Sequence, residues 1–187
     1  TMSYSGGYSL SSAVGRIVSG ATSGNNSRIH LGAASTNVPL LATDLARTRY
    51  LVSIATITTG AWKLGLGVDV SDAAAGSLGS AGAFVEFVPA TSAKWRYTTR
   101  NASTSTTNAD TGADVVAGNW YQFDIVRLQN GNIQFAKNGA LAFTHTANLP
   151  TVALTPGFLA HTLTASARNM DIDAFGLNFK PLGNRFT

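Results

Sequence analysis

Few residues in this chain are of types that do chemistry, and their spacing is poor. Glu86 is the only glutamate. Hydrolysis of a glycosidic bond by the usual route needs two carboxylates set across that bond, and the same-parity neighbours of Glu86, Phe84 and Val88, are apolar. Asp171 and Asp173 are spaced to share one face of a strand. The commoner role for an aspartate beside a strand irregularity is to accept backbone or arginine hydrogen bonds, and that is expected of Asp173. His30, His145 and His161 are far apart and lack metal or triad spacing. Asp69 with Asp72 is the one acidic pair that could suit calcium, without the ordered spacing of a calcium loop. No nucleophile elbow or phosphate-cradling glycine loop opens a helix, and the absence of Cys removes thiolate zinc sites and disulfides. The expectation is a non-enzyme with no metal and no cofactor. What remains is aromatic: Trp62, Trp95, Tyr97 and Trp120, with Arg96, Arg100 and Asn101 as planar polar partners. Such rings stack on sugar faces, although a tryptophan in a β-sandwich is more often core.

The elements that must position these residues are strands. The 187 residues suffice for one domain, and 12% are charged where a globular domain carries about 25%; Ser, Thr, Asn and Gly fill the difference. The net charge of +4 includes nine arginines. They are dispersed, at Arg16, Arg28, Arg47, Arg49, Arg96, Arg100, Arg127 and Arg168 among others, whereas a nucleic-acid binder gathers them on one face. No nucleic-acid partner is expected. No apolar run approaches the roughly 18 residues of a membrane span, and the first residues lack an export signal, so no membrane insertion is expected either.

Apolar residues recur at period two in short segments separated by Gly, Ser, Asn or Pro. Residues 50–58 read as a central strand with both faces largely buried, Tyr50, Val52 and Ile54 on one of them. In residues 63–70, Leu64, Leu66, Val68 and Val70 point in and Lys63, Gly65, Gly67 and Asp69 point out. Residues 84–88 form a strand closed by Pro89, and residues 94–100 separate an aromatic face (Trp95, Tyr97) from a basic one (Arg96, Arg100). Asn130-Gly131 and Asn138-Gly139 punctuate residues 118–146 as type I′ hairpin turns. They imply a three-stranded meander with Tyr121, Phe123, Ile125, Ile133, Phe135, Leu141 and Phe143 inward. Trp120 has the opposite parity, so either it or the Tyr121 set faces solvent. Residues 158–164 and 169–180 give two more strands, the last needing a bulge near Asp173 and Ala174 because its apolar parity switches. Residues 71–83 and 101–113 read as long surface loops, residues 43–47 as a possible helical turn, and residues 1–13, with Tyr4 and Tyr8, as an arm. The fold class is therefore all-β: an antiparallel sandwich or jelly roll over residues 14–187 behind an extended N-terminal arm, with a barrel as the alternative.

The segment "VVAGNWYQFDIVRLQNGNIQFAKNGALAFTHTANLP" followed by "MDIDAFGLNF" resembles the concanavalin A-like jelly roll, in the version found in tail fibres and other virion proteins of tailed bacteriophages. Gly118 and Trp120 opening a strand, Asn138-Gly139, Asn148-Leu149-Pro150 and the Ile172-Asp173 step carry the resemblance, which spans roughly residues 47–179. Glucanases of this superfold place two Glu and an Asp on alternate positions of one strand, a pattern missing here. The resemblance implies a virion structural component, such as a tail fibre, neck or capsid-decorating subunit. It would assemble as a homo-oligomer with other virion proteins, its arm docking Tyr4 and Tyr8 on a neighbour. The alternative is a carbohydrate-binding, lectin-like module that takes a host surface polysaccharide through Trp62, Trp95, Tyr97, Arg100 and Trp120, on a virion or in an extracellular setting.

Overall fold

Alternation of apolar and polar residues becomes sandwich architecture because a strand sends successive side chains to opposite faces, and one face can be closed against a partner sheet. The computed structural model describes residues 2–5, 7–11, 14–24, 26–31, 45–67, 81–102, 104–152, 154–164 and 166–180. Among these the strands are β1 (Met2–Ser5), β2 (Gly7–Ser11), β3 (Val14–Val18), β4 (Asn26–Leu31), β5 (Leu45–Ser53), β6 (Gly60–Gly67) and β7 (Ala81–Phe87). They continue with β8 (Arg96–Asn101), β9 (Thr104–Ala109), β10 (Trp120–Arg127), β11 (Ile133–Lys137), β12 (Ala140–His145), β13 (Thr155–Thr162) and β14 (Asn169–Lys180). Sheet A runs β1-β4-β13-β6-β7-β8-β9 and sheet B runs β12-β11-β10-β5-β14-β3-β2. All pairings are antiparallel. Each sheet keeps two edge strands, so this is a jelly-roll sandwich and not a barrel, and no helix occurs among the described residues.

The sheets meet through a continuous aromatic layer. Trp62 on β6 stacks on Phe87 of β7 at 5.7 Å, Phe87 leans on Trp95 at 5.6 Å, and Trp95 meets Phe123 of β10 edge-on at 4.8 Å, crossing from sheet A to sheet B. On β5, Tyr50 packs edge-on against Phe158 of β13 at 5.1 Å, a second crossing. The Trp62 indole N–H donates to the backbone carbonyl of Asn169 at 2.9 Å, tying β6 to β14 where the sheets face. Burial pushes the phenols of Tyr50 and Tyr97 well above the usual tyrosine range.

Several sequence expectations hold. The central strand is the middle strand of sheet B, although it covers residues 45–53 and not 50–58; β10 to β12 form the meander, β14 spans residues 169–180, and its register slips between Ile172 and Ala174. Asn138 and Gly139 both take positive φ, 51° and 82°, as a type I′ turn demands. Asn130-Gly131 differs. Only Gly131 is positive there, and the Gly131 N–H donates to Leu128 O, which makes a three-residue turn with a glycine bulge.

Other expectations are corrected. Residues 2–5 and 7–11, read as part of an arm, are strands paired with β4 and β3 of the same chain; Thr1, Gly6, Ser12, Ala13 and the side chains of Tyr4 and Tyr8 lie outside the described residues. Residues 104–109, read as loop, are the edge strand β9, whose polar sequence suits an edge and whose Thr107 hydroxyl meets that of Thr98 at 2.9 Å. Residues 45–47 are strand and not helix, and residues 81–83 begin β7. Leu141 points outward, 61% exposed, because the register slip after Phe135 sets Leu141 opposite Ala136 while Phe143 stays opposite Phe135. Lys63, expected in solvent, is buried with the rest of β6, whereas β5 exposes Arg47 and Arg49 on its outer face. Val68, Asp69, Val70 and Asp72 lie outside the described residues.

Gly65 shows how closely β6 and β7 approach. Its φ is +154°, and a Cβ there would sit 2.2 Å from the backbone oxygen of Ala83, whereas Gly118, at φ +77°, has open space around it. Gly65→Ala is expected to destabilise by about 3 kcal/mol, combining strain and overpacking. Gly118→Ala should cost only about 1 kcal/mol, the left-handed penalty alone. Urea unfolding of the two variants measures the difference; equal losses would contradict the geometry.

Candidate functional site

Strand parity divides the aromatic candidates. Trp62, Trp95 and Tyr97 are at most 1% exposed. They are corrected from sugar platforms to core residues, because their parity is that of Leu64, Val85 and Thr99, which face sheet B. Arg100 lies on the opposite face of β8, partly exposed, with its Nε–H donating to the carbonyl of Ala102. Trp120 stands alone among them on the outside of sheet B, 43% exposed, while Tyr121, Phe123 and Ile125 fill the core.

The register of β5, β10 and β14 surrounds Trp120 with polar groups. Trp120 lies opposite Ser53, which lies opposite Asp171, which lies opposite Arg16. Asp171 accepts two hydrogen bonds from Arg16, from Nε and Nη2, the latter at 2.8 Å. Further along the same face, Asp124 lies opposite Arg49. Its Oδ1 accepts from Arg47 Nε at 3.1 Å and Arg49 Nε at 2.9 Å, and its Oδ2 from Arg49 Nη2 and Gln122 Nε2, both at 3.2 Å. The carboxylate is 4% exposed, but the arginine side chains are 53% and 47% exposed. Between Trp120 and this cluster the register row is Gln122, Leu51 and Ala174, with Ser53 beside Trp120 and Gly176 and Ala136 beside the Arg49–Asp124 row.

Burial alone would push the Asp124 carboxyl up. Hydrogen bonds from Arg49 and Arg47, together with their charges, outweigh that and hold it below the ordinary carboxylate value. A carboxylate held below its unfolded value stabilises the fold above that value and loses the contribution as pH falls through the folded one.

The outer face of sheet A is different in kind. Glu86 lies between Lys63 on β6 and Arg96 on β8 in register. It pairs with Arg96 Nη2 at 3.1 Å and faces the Thr98 hydroxyl at 3.5 Å. Lys63, Glu86, Phe84, Leu159 and His161 are all buried on this face. Glu86 thus stands between two cations and not opposite a second carboxylate. Of the aspartates read as a candidate pair, Asp171 and not Asp173 takes the arginine, and Asp173 sits exposed at the register slip. Among the described residues no three His, Asp or Glu groups gather to hold a metal. His145 meets the Thr99 hydroxyl at 3.0 Å, and burial lowers its pKa.

Trp120 was a sequence candidate. Arg47, Arg49, Gln122 and Asp124 were not, since their convergence depends on the β5/β10 register; the alternating Arg47-x-Arg49 ahead of an apolar run was the available signal.

This architecture is a lectin-type, concanavalin A-like β-sandwich. The chain belongs to the family described as SO2946-like, C-terminal domain, which it matches over residues 12–173. No curated protein matches the sequence. Among solved structures, the Emp46p carbohydrate recognition domain in its metal-free form is similar with a TM-score of 0.65 at 10% identity, over 94% of this chain and 87% of that one. The Crh5 transglycosylase in complex with NAG gives 0.67 at 11%, over 97% and 79%. The carbohydrate binding module CBM66 from Bacillus subtilis gives 0.59 at 8%, over 95% and 94%. At such identities the likeness is one of fold.

Wild type and Asp124→Asn are expected to differ most in stability at neutral pH and to converge as pH falls below about 3.8, the ordinary value for this group. Thermal melts from pH 7 to pH 2 read the difference. A gap that stays constant down to pH 2 would show that the carboxylate charge is not what the arginines hold.

Proposed function

We propose that this chain is a non-enzymatic carbohydrate-binding module that takes a saccharide on the outer face of sheet B, in a surface-displayed setting on a virion or outside a cell. The observation that carries the reading is Trp120: it is the one tryptophan whose ring reaches solvent, and it does so on a sheet face that also carries guanidinium and amide groups. An aromatic ring offers its face to the C–H side of a pyranose, and planar polar neighbours orient the hydroxyls. The carbohydrate recognition and carbohydrate binding domains among the similar folds support the reading. The virion building-block reading through an N-terminal arm gains no support from the strand pairing, since residues 2–5 and 7–11 hydrogen-bond within the chain.

The fold supports binding more than turnover. Glu86, the sole glutamate, is already paired with Arg96 and lies in register with Lys63. Glycosidic hydrolysis by the usual route needs a second carboxylate across the scissile bond, and the register neighbours of Glu86 are cations instead.

On an array of bacterial and plant glycans the wild-type chain should bind at least one class. Trp120→Ala should raise Kd about tenfold or more, a loss of about 1.4 kcal/mol, while leaving the melting temperature nearly unchanged because the ring is outside the core. Equal affinity of wild type and Trp120→Ala for the glycans retained would overturn the site.

A further inference from the structure

We infer that the saccharide recognised on sheet B is acidic, with a hexuronate carboxylate seated on the Arg47–Arg49 pair; this rests on the carbohydrate-binding reading and deepens it. Asp124 stands beneath the two guanidiniums, and both of its oxygens are filled, Oδ1 by Arg47 and Arg49 and Oδ2 by Arg49 and Gln122. The cluster therefore holds two cations against one anion. It presents N–H donors, because the accepting positions of the carboxylate are occupied while roughly half of each arginine side chain faces solvent. A neutral sugar hydroxyl is both donor and acceptor, and a guanidinium pair satisfies only its accepting side. A carboxylate is acceptor only, and its two oxygens match the planar guanidinium fork.

Asp124 also orders the pair. An exposed arginine loses rotamer freedom when it grips a ligand, and one already hydrogen-bonded through Nε has lost part of that freedom beforehand. Trp120 lies four residues from Asp124 on the same strand face, about 13 Å at strand spacing. A trisaccharide spans that distance across the row of Gln122, Leu51 and Ala174, with one ring on Trp120 and the carboxylate of another on the arginines. The Arg16–Asp171 pair in the row of Trp120 is balanced in charge and adds no net cation.

The test is titration calorimetry of the full chain with a panel of hexuronate trisaccharides, their methyl esters, and a sulfated trisaccharide of matching length. At least one free acid is expected to bind about tenfold tighter than its ester, an advantage that shrinks as salt rises. Arg49→Gln and Arg47→Gln should each remove most of the acid preference while keeping the residual ester affinity, which Trp120→Ala weakens about tenfold or more. Esters binding as tightly as acids would overturn the acidic assignment and leave carbohydrate binding standing. Preference for the sulfated sugar over every hexuronate would overturn the carboxylate assignment. No binding by any saccharide, here and on the array, would overturn both readings. Because Arg49 supplies two of the four donors to the buried Asp124 carboxylate and Arg47 one, the melting temperature is expected to fall more for Arg49→Gln than for Arg47→Gln. Should one unfold, the ester-to-acid comparison in the wild type decides by itself.

Discussion

The structure depends on the closure of two sheets over a single aromatic layer. Trp62, Phe87, Trp95 and Phe123 form an unbroken chain of ring contacts from one sheet to the other, and the Trp62 indole fastens its end to the backbone of β14. Rings of this size exclude water across the full thickness of the sandwich, about 10 Å, and the area they bury is the main stabilising contribution in a chain without disulfides. That closure decides the fate of every other residue, because strand parity leaves no freedom: once Tyr50 or Phe123 turns inward, Arg49 and Asp124 must turn outward.

The candidate site follows from that constraint. Trp120 precedes Tyr121, whose ring and hydroxyl are held in the core and by the Val116 N–H, so the Trp120 ring has only the solvent side to occupy. Arg47 and Arg49 are thrown to the same side by Ala46, Thr48 and Tyr50. The antiparallel register of β5 with β10 then places a buried aspartate opposite them. A buried carboxylate without partners would be costly. Here four N–H donors satisfy it, and the arginines it anchors are ordered at the surface.

The two outer faces contrast in how charge is managed. On sheet A the row Lys63, Glu86, Arg96 is buried at its first two members and internally paired at its last two, which makes it a structural ionic ladder. On sheet B the carboxylates of Asp124 and Asp171 are shielded and the arginines they pair with are not. The fold is the same on both sides; accessibility separates the face suited to holding the structure from the face suited to recognition.

The sequence by itself determined the architecture. Period-two alternation, the Asn-Gly turns and the parity switch near Asp173 are local signals, and they imply the central strand β5, the meander and the bulge in β14 because turn chemistry and side-chain alternation act over a few residues. The strands at residues 2–5, 7–11 and 104–109 were not legible, since segments rich in Ser, Gly and Thr lack an apolar period and become strands only when a neighbour supplies the hydrogen-bond ladder. The site was half legible. Trp120 against Tyr121 was posed as a choice that burial alone could resolve, and Trp62, Trp95 and Tyr97 could not be told from surface rings until the second sheet covered them. The meeting of Arg47 and Arg49 with Asp124, 75 or more residues away in the chain, was decided only by tertiary structure. Register between distant strands is set by the fit of the whole core, and no local pattern encodes which residue will stand opposite another.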